Sequence, residues 1–265
     1  MRALGSREQM HEVVQAAVLA GINHLETAPA YGPAEDFLGH ALKQAEQPEG
    51  GWVVTSKLLP GLTLREGKHQ LLKILERLGC DNLDNLAIHG INRPEHLDWA
   101  LHGDGKDLLD WAQGEGHAAQ VGFSSHGSQA LIAAAISSGR FQFCSLHLHL
   151  LDPQRLPLAH QALEQGMGVL AISPADKGGR LQAPSPTLIS DCAPFSPLQL
   201  AYRFLLAQGI STLSVGAAQA SDLELAAALQ SSDSPLTPEE ESSLQRLTDH
   251  PVSYTHLRAH ETSAD

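Results

Sequence analysis

Seven short runs of almost unbroken apolar residues, each of strand length, punctuate this chain between longer segments of helical period. They lie at residues 22–27, 52–56, 86–89, 120–124, 143–148, 168–173 and 212–216. A strand with one wet face alternates apolar and polar residues, whereas a strand covered on both faces has no polar side to show. The runs therefore predict a parallel sheet. They recur at intervals of about 25–40 residues, enough for a helical crossover between neighbouring parallel strands.

The intervening segments carry helix-start signals. Ser6 with Gln9, Thr63 with Glu66, Ser221 with Glu224 and Thr237 with Glu240 fit the capping box, in which two orphan backbone donors are satisfied reciprocally. Pro33, Pro197 and Pro238 fall where a first helical residue tolerates a missing N–H. Residues 130–136 and 223–229 are short, Ala-rich and helical in period.

Alternation of this kind permits an open doubly wound sheet or a (β/α)8 barrel. No G-x-G-x-x-G follows the first run, which weakens the dinucleotide-binding open sheet. A barrel needs eight strands, and seven are visible. The shortfall is at the front, because residues 1–3 lead straight into the Ser6 helix. The expectation is one α/β barrel domain over residues 1–251, lacking its first strand, with Met1 internal to a longer frame. Residues 252–265 read VSYTHLRAHETSAD, lack periodicity and resemble translated adapter read-through. They are expected to form a non-native or disordered tail, and His256 and His260 are discounted as metal ligands with them.

Composition narrows the function. Hydrophobic residues make up 42% and charged residues 18%, which suits a packed core rather than disorder. Thirty acidic against 17 basic residues leave a net charge of −13, an unfavourable balance for nucleic acid or an anionic membrane as main partner. No apolar run approaches the roughly 18 residues of a membrane span. Cys80, Cys144 and Cys192 are too few and too scattered for a disulfide framework or a Cys-based metal site. A soluble cytoplasmic enzyme acting on a small molecule is the expectation.

Four polar residues fall near the C-terminal ends of the first three runs, where barrel enzymes place their active sites. Glu26 ends the first run and Tyr31 follows in the loop; Lys57 ends the second and His89 the third. A tyrosine hydroxyl has an ordinary pKa of about 10, so it needs help to move a proton near neutrality. A neighbouring ammonium favours the phenolate, and a carboxylate keeps that ammonium charged and in place. An imidazole beside the phenol can orient a carbonyl oxygen.

These residues, in this order and spacing, resemble the aldo-keto reductases. In that family the second strand ends in D-T-A-x-x-Y-G, the third in a catalytic lysine and the fourth in a catalytic histidine. Here ETAPAYG (26–32), Lys57 and His89 take those places. The resemblance runs over roughly residues 1–247. It continues through GFSSHG (122–127), where the family binds the nicotinamide carboxamide, through ISPADKGG (172–179), and through SVGA (214–217) before the helix that holds the adenine-side phosphate. HGIN (89–92), ISPADKGG and CAPFSP (192–197) look most similar to a bacterial ferredoxin-type subgroup.

The resemblance implies reduction of an aldehyde, ketone or quinone by NADPH or NADH, with Tyr31 as proton donor, assisted by Lys57, Glu26 and His89. It implies cofactor contacts at Ser124, Ser125, Ser145, Ser173, Lys177, Gly216 and Ala217. No C-x-x-C spacing is available for an iron–sulfur cluster, and none is expected. Several positions depart from the family's pattern. Glu26 replaces an aspartate and reaches about 1.5 Å further. Ser124 and Ser125 stand for a Ser-Asn pair, Ser145 for a glutamine and Ile172 for a tyrosine that stacks on nicotinamide. No basic cluster follows Gly216, so backbone donors at the Ser221 helix start are left to hold a phosphate. These departures motivate a rival reading, a non-catalytic nucleotide-binding or regulatory protein, or an inactive fragment.

His147 and His149 form an H-x-H pair that faces one side of a strand. Such a pair can ligate zinc, but the further His and Asp of metal-dependent barrel hydrolases are not visible on later strands. The pair is expected to face the outer helices or line the pocket without metal.

Overall fold

The computed structural model describes residues 5–176, 180–229 and 235–249. Seven strands form one sheet in sequential order, every neighbouring pair parallel. They are β1 (His24–Glu26), β2 (Val53–Leu58), β3 (Leu83–Ile88), β4 (Ala118–Ser125), β5 (Phe143–His147), β6 (Gly168–Ile172) and β7 (Thr212–Leu213). All seven expected strands are present. β2, β3 and β4 pass their apolar runs at one end or both, β5 and β6 stop one residue short of theirs, and the outermost two are each three residues shorter.

The difference follows from pairing. Each of β2 to β6 is hydrogen-bonded on both sides, which holds each of them at five residues or more. β1 and β7 each have one partner, and among the described residues no ladder joins them. The sheet nonetheless curls until they face each other. Ser214 Oγ donates to Glu26 Oε2 at 3.0 Å across the gap, and a cavity of about 450 Å³ follows it, lined by residues of both edges.

Helices α2 (Ala34–Leu42), α3 (Leu64–Leu78), α4 (Pro94–Leu101), α5 (Gly103–Gly114), α6 (Gln129–Ser137), α7 (Leu156–Glu164), α8 (Pro186–Cys192) and α9 (Pro197–Ala207) cross over between the strands, while α1 (Arg7–Leu19) precedes β1 and α10 (Glu224–Ala228) and α11 (Pro238–Asp249) follow β7. The Thr63–Glu66 capping box forms with both bonds in place. Ser6 accepts from Gln9, but the Gln9 side chain reaches back to Gly5 rather than to Ser6. Pro33 sits one residue before α2, not within it. The predicted Ser221–Glu224 box is replaced by Gln219 and Asp222, because a short 3-10 turn at Ala220–Leu223 starts the segment two residues early.

The main core lies between the sheet and this helical layer, with Leu71, Ile74 and Leu78 of α3 and Leu108 of α5 buried in it beside Leu86, Ile88 and Phe123 of the sheet. Each such side chain contributes roughly 1.5–3 kcal/mol by leaving water. At Gly122 a Cβ would sit 2.5 Å from the Phe143 carbonyl oxygen, so β4 and β5 approach as they do only with glycine there. Polar groups are also buried in this layer. Glu35 of α2 accepts from Ser56 Oγ at 2.6 Å and from Arg77 at 2.8 Å, which ties α2, α3 and β2 together. No helix among the described residues is long and apolar enough to cross a membrane.

Candidate active site

At the C-terminal ends of β1 to β3 the four predicted polar residues meet. Lys57 lies inside β2 rather than beyond it, and its side chain is 2% exposed. Its ammonium forms an ion pair with Glu26 Oε1 at 2.9 Å and donates to the Thr27 carbonyl at 3.0 Å and to the Tyr31 hydroxyl at 3.2 Å. One buried cation thus holds the phenol and the carboxylate at once.

Local structure delivers each group. Pro29–Tyr31 form a 3-10 turn, and Gly32 (φ 63) follows in the left-handed region that lets the chain reverse directly after the phenol. The ammonium also lies 4.8 Å from the Tyr31 ring centroid. His89 follows β3, anchored by its N–H to the Leu58 carbonyl at 2.7 Å. Its ring meets Tyr31 edge-on, with centroids 5.7 Å apart.

Electrostatics give the groups distinct states. Burial pushes the His89 imidazole down, and the Lys57 charge adds to that, leaving it at about 4. It is therefore neutral at pH 7, a hydrogen-bond donor without charge. Burial disfavours the Glu26 carboxylate, yet Lys57 and Ser214 outweigh it and hold this carboxyl below its usual range. The extra methylene of Glu26 relative to aspartate is thus accommodated: one oxygen meets Lys57 and the other meets Ser214.

The predicted cofactor positions behave differently. The Ser125 hydroxyl donates to the Ile91 carbonyl at 2.6 Å, and Ser124 Oγ accepts from the Gly90 N–H at 3.1 Å. Both side chains are used to fix the loop after β3. Ser145 is fully buried on β5, and its Oγ has no hydrogen-bond partner among the described residues. Ser173 is left-handed (φ 54) at the end of β6. Gly216 is open, with nothing within 4 Å of where a Cβ would lie, and Ala217 packs on a small apolar cluster with Val13, Ala17 and Leu223. Lys177 lies outside the described residues, as do residues 252–265.

The backbone N–H groups of Ala218 and Gln219, available in principle to a phosphate, donate to Asp222 Oδ2 at 2.7 and 3.1 Å. The carboxylate caps the 3-10 turn from which this segment starts. Sequence reasoning missed this because the capping residue is Gln219, a side chain with weak N-cap preference.

A profile of the aldo/keto reductase family matches residues 4–185. This chain belongs to that family. An aldo-keto reductase of Mycolicibacterium vanbaalenii is 29% identical over 213 residues, covering 77% of this chain and 72% of the relative. A second, from Strobilurus tenacellus, is 25% identical over 181 residues and is matched over 52% of its own length. Among solved structures, the holo form of a Bacillus halodurans aldo-keto reductase superposes with a TM-score of 0.75 at 20% identity, over 91% of this chain and 88% of that one. A Bombyx mori aldo-keto reductase in complex with NADP gives a TM-score of 0.67 at 21% identity, over 91% and 83%. The seven parallel strands are those of this (β/α)8 fold, and the chain is an oxidoreductase of the aldo/keto type.

Proposed function

We propose that this aldo-keto reductase reduces an aldehyde, ketone or quinone to the alcohol, using NADPH or NADH and Tyr31 as the proton donor. The observation that carries this is the three-way contact of Lys57 Nζ with Glu26, Thr27 and the Tyr31 hydroxyl. The residues present fit a nicotinamide: the orphan Ser145 hydroxyl lies on β5, in a sheet whose cross-strand register runs Lys57–Ala87–Gly122–Phe143 and places Ser145 two residues further toward the C-terminal end. When bound, the dihydronicotinamide supplies the hydride to the carbonyl carbon.

The chain's own residues manage the charge. Neutral His89 donates a hydrogen bond to the carbonyl oxygen and positions it against the phenol. Tyr31 gives its proton to that oxygen as negative charge develops there. The ammonium at 3.2 Å stabilises the charge left on the phenol, and it does so in a site of low dielectric, where preorganised groups act most strongly. Glu26 keeps Lys57 charged and in position. Ser145 orients the carboxamide, while Ser124, Ser125, Ser173, Gly216 and Ala217 shape the cofactor groove mainly through backbone.

The test is turnover of a panel of aldehydes, ketones and quinones with each dinucleotide, compared with the Tyr31→Phe variant. Carbonyl reduction lost in the variant, with dinucleotide binding retained, supports the reading. Tight dinucleotide binding by the parent without any turnover would favour the regulatory alternative.

A further inference from the structure

On the cofactor side of the barrel mouth, His147, His149 and Asp176 bring one ligand atom each to within 4.8 Å of one another. His147 ends β5. His149 lies just past it, where the chain has left the strand for a bridge with Asp152, yet the two rings remain 5.0 Å apart. Asp176 comes from the loop after β6, held left-handed at φ 67. Its Oδ1 is 3.5 Å from His149 Nε2, while its Oδ2 accepts from Arg180. The carboxylate is thus divided between two tasks.

We infer that these three residues form a binding site for a divalent transition-metal ion of the zinc type. Two imidazoles and one carboxylate are a donor set that zinc accepts, and it leaves a fourth position for water or an exogenous ligand. Donors around tetrahedral zinc stand about 3.4 Å apart, as follows from bonds of about 2.1 Å. The His149–Asp176 pair is already near that spacing. His147 Nδ1 is buried and has no hydrogen-bond partner among the described residues, an unexplained polar atom beside the other donors.

Both His149 and Asp176 are buried, at 2% and 6% side-chain exposure, so the bound ion would lose most of its hydration to protein donors. Arg180 on the far carboxylate oxygen, and Arg155 near His147, oppose the added charge. The site therefore depends on its imidazoles. Sequence spacing alone argued against metal because no acid follows on a later strand; the fold brings one from a loop.

The occupied site would clip the loop after β6 to the end of β5. Its test is independent of turnover: titrate the full chain with Co²⁺ alone and follow visible d–d absorption, then displace with Zn²⁺. One equivalent is expected, with X-ray absorption of the zinc-loaded protein showing two imidazoles in the coordination shell. His147→Ala and Asp176→Asn should each weaken binding at least tenfold, while His69→Ala, on the exposed face of α3, should change nothing. Zn²⁺ should raise the Tm of the parent and not of the two site variants. Absence of a stoichiometric Co²⁺ spectrum overturns the assignment. So does equal affinity in the parent and both site variants, which would place the metal on surface histidines. If a variant fails to fold, a shell with fewer than two imidazoles in the parent overturns it by itself.

Discussion

The two halves of the barrel mouth are built on different principles. On β1 to β3, long charged and polar side chains converge directly: Lys57 alone makes three contacts with Glu26, Thr27 and Tyr31. On β4 to β7 the corresponding positions are small, and two of the serines are spent on backbone carbonyls and amides of their own fold. The contrast teaches that the proposed chemistry would depend on a few exact side-chain contacts. On the proposed function, cofactor grip would be spread over shape and backbone, and single residues would matter less there.

The largest expected break in that comparison is Tyr31→Phe, which should lower kcat about 10³-fold, within the 10²- to 10⁴-fold range of a lost general acid, and leave dinucleotide affinity unchanged. Steady-state rates with fluorescence titration of the cofactor check both halves of the statement. Lys57→Met should cost about 10²-fold in rate. It should also destabilise the fold by roughly 3–5 kcal/mol in urea melts, because Glu26 is left buried beside no cation. A stable Lys57→Met protein would show that the ion pair contributes little beyond chemistry.

Acid should act next. His89 and His147 both sit at about 4 in the folded chain, against 6.5 for an ordinary histidine. The unfolded chain therefore takes up those protons first, so stability present above about pH 6.5 falls as the pH drops toward 4. His89→Gln should flatten that slope in thermal melts between these limits, and in the parent kcat/KM should hold through pH 6 and fall as pH 4 is approached.

On the cofactor side the effects should be smaller. Ser145→Ala removes one hydrogen bond to the carboxamide and should weaken dinucleotide binding by about three- to tenfold, the weight of a single ordinary bond. Asp222→Asn relieves repulsion of a nearby phosphate and should raise the ratio of NADPH to NADH affinity about threefold at low salt, an effect that fades as ionic strength rises. A larger effect at Ser145 than at Lys57 would invert the comparison.

Much of this could be read along the chain. The apolar runs marked all seven strands because a strand covered on both faces has no freedom to be polar. Tyr31, Lys57 and His89 stood out together: each alone has an ordinary structural use, but a phenol, an ammonium and an imidazole at or just past successive strand ends fit one chemistry. Other features were hidden. The edge strands are cut to three and two residues because each lacks a second partner, a fact about neighbours rather than about residues 22–27 or 212–216. Glu35, fully buried against Ser56 and Arg77, reads locally as an ordinary first-turn helix acid.

Local order in the chain was enough to specify the parallel α/β architecture and its strand sequence, and to mark the side chains proposed as catalytic. Each of those is written in short-range periodicity or in the residue type itself. Distances between groups far apart in sequence were settled only by folding. The bond from Ser214 to Glu26 spans 188 positions, and the meeting of Asp176 with His149 crosses a whole helix and strand. Such contacts depend on where the backbone returns, and no window of neighbouring residues encodes that.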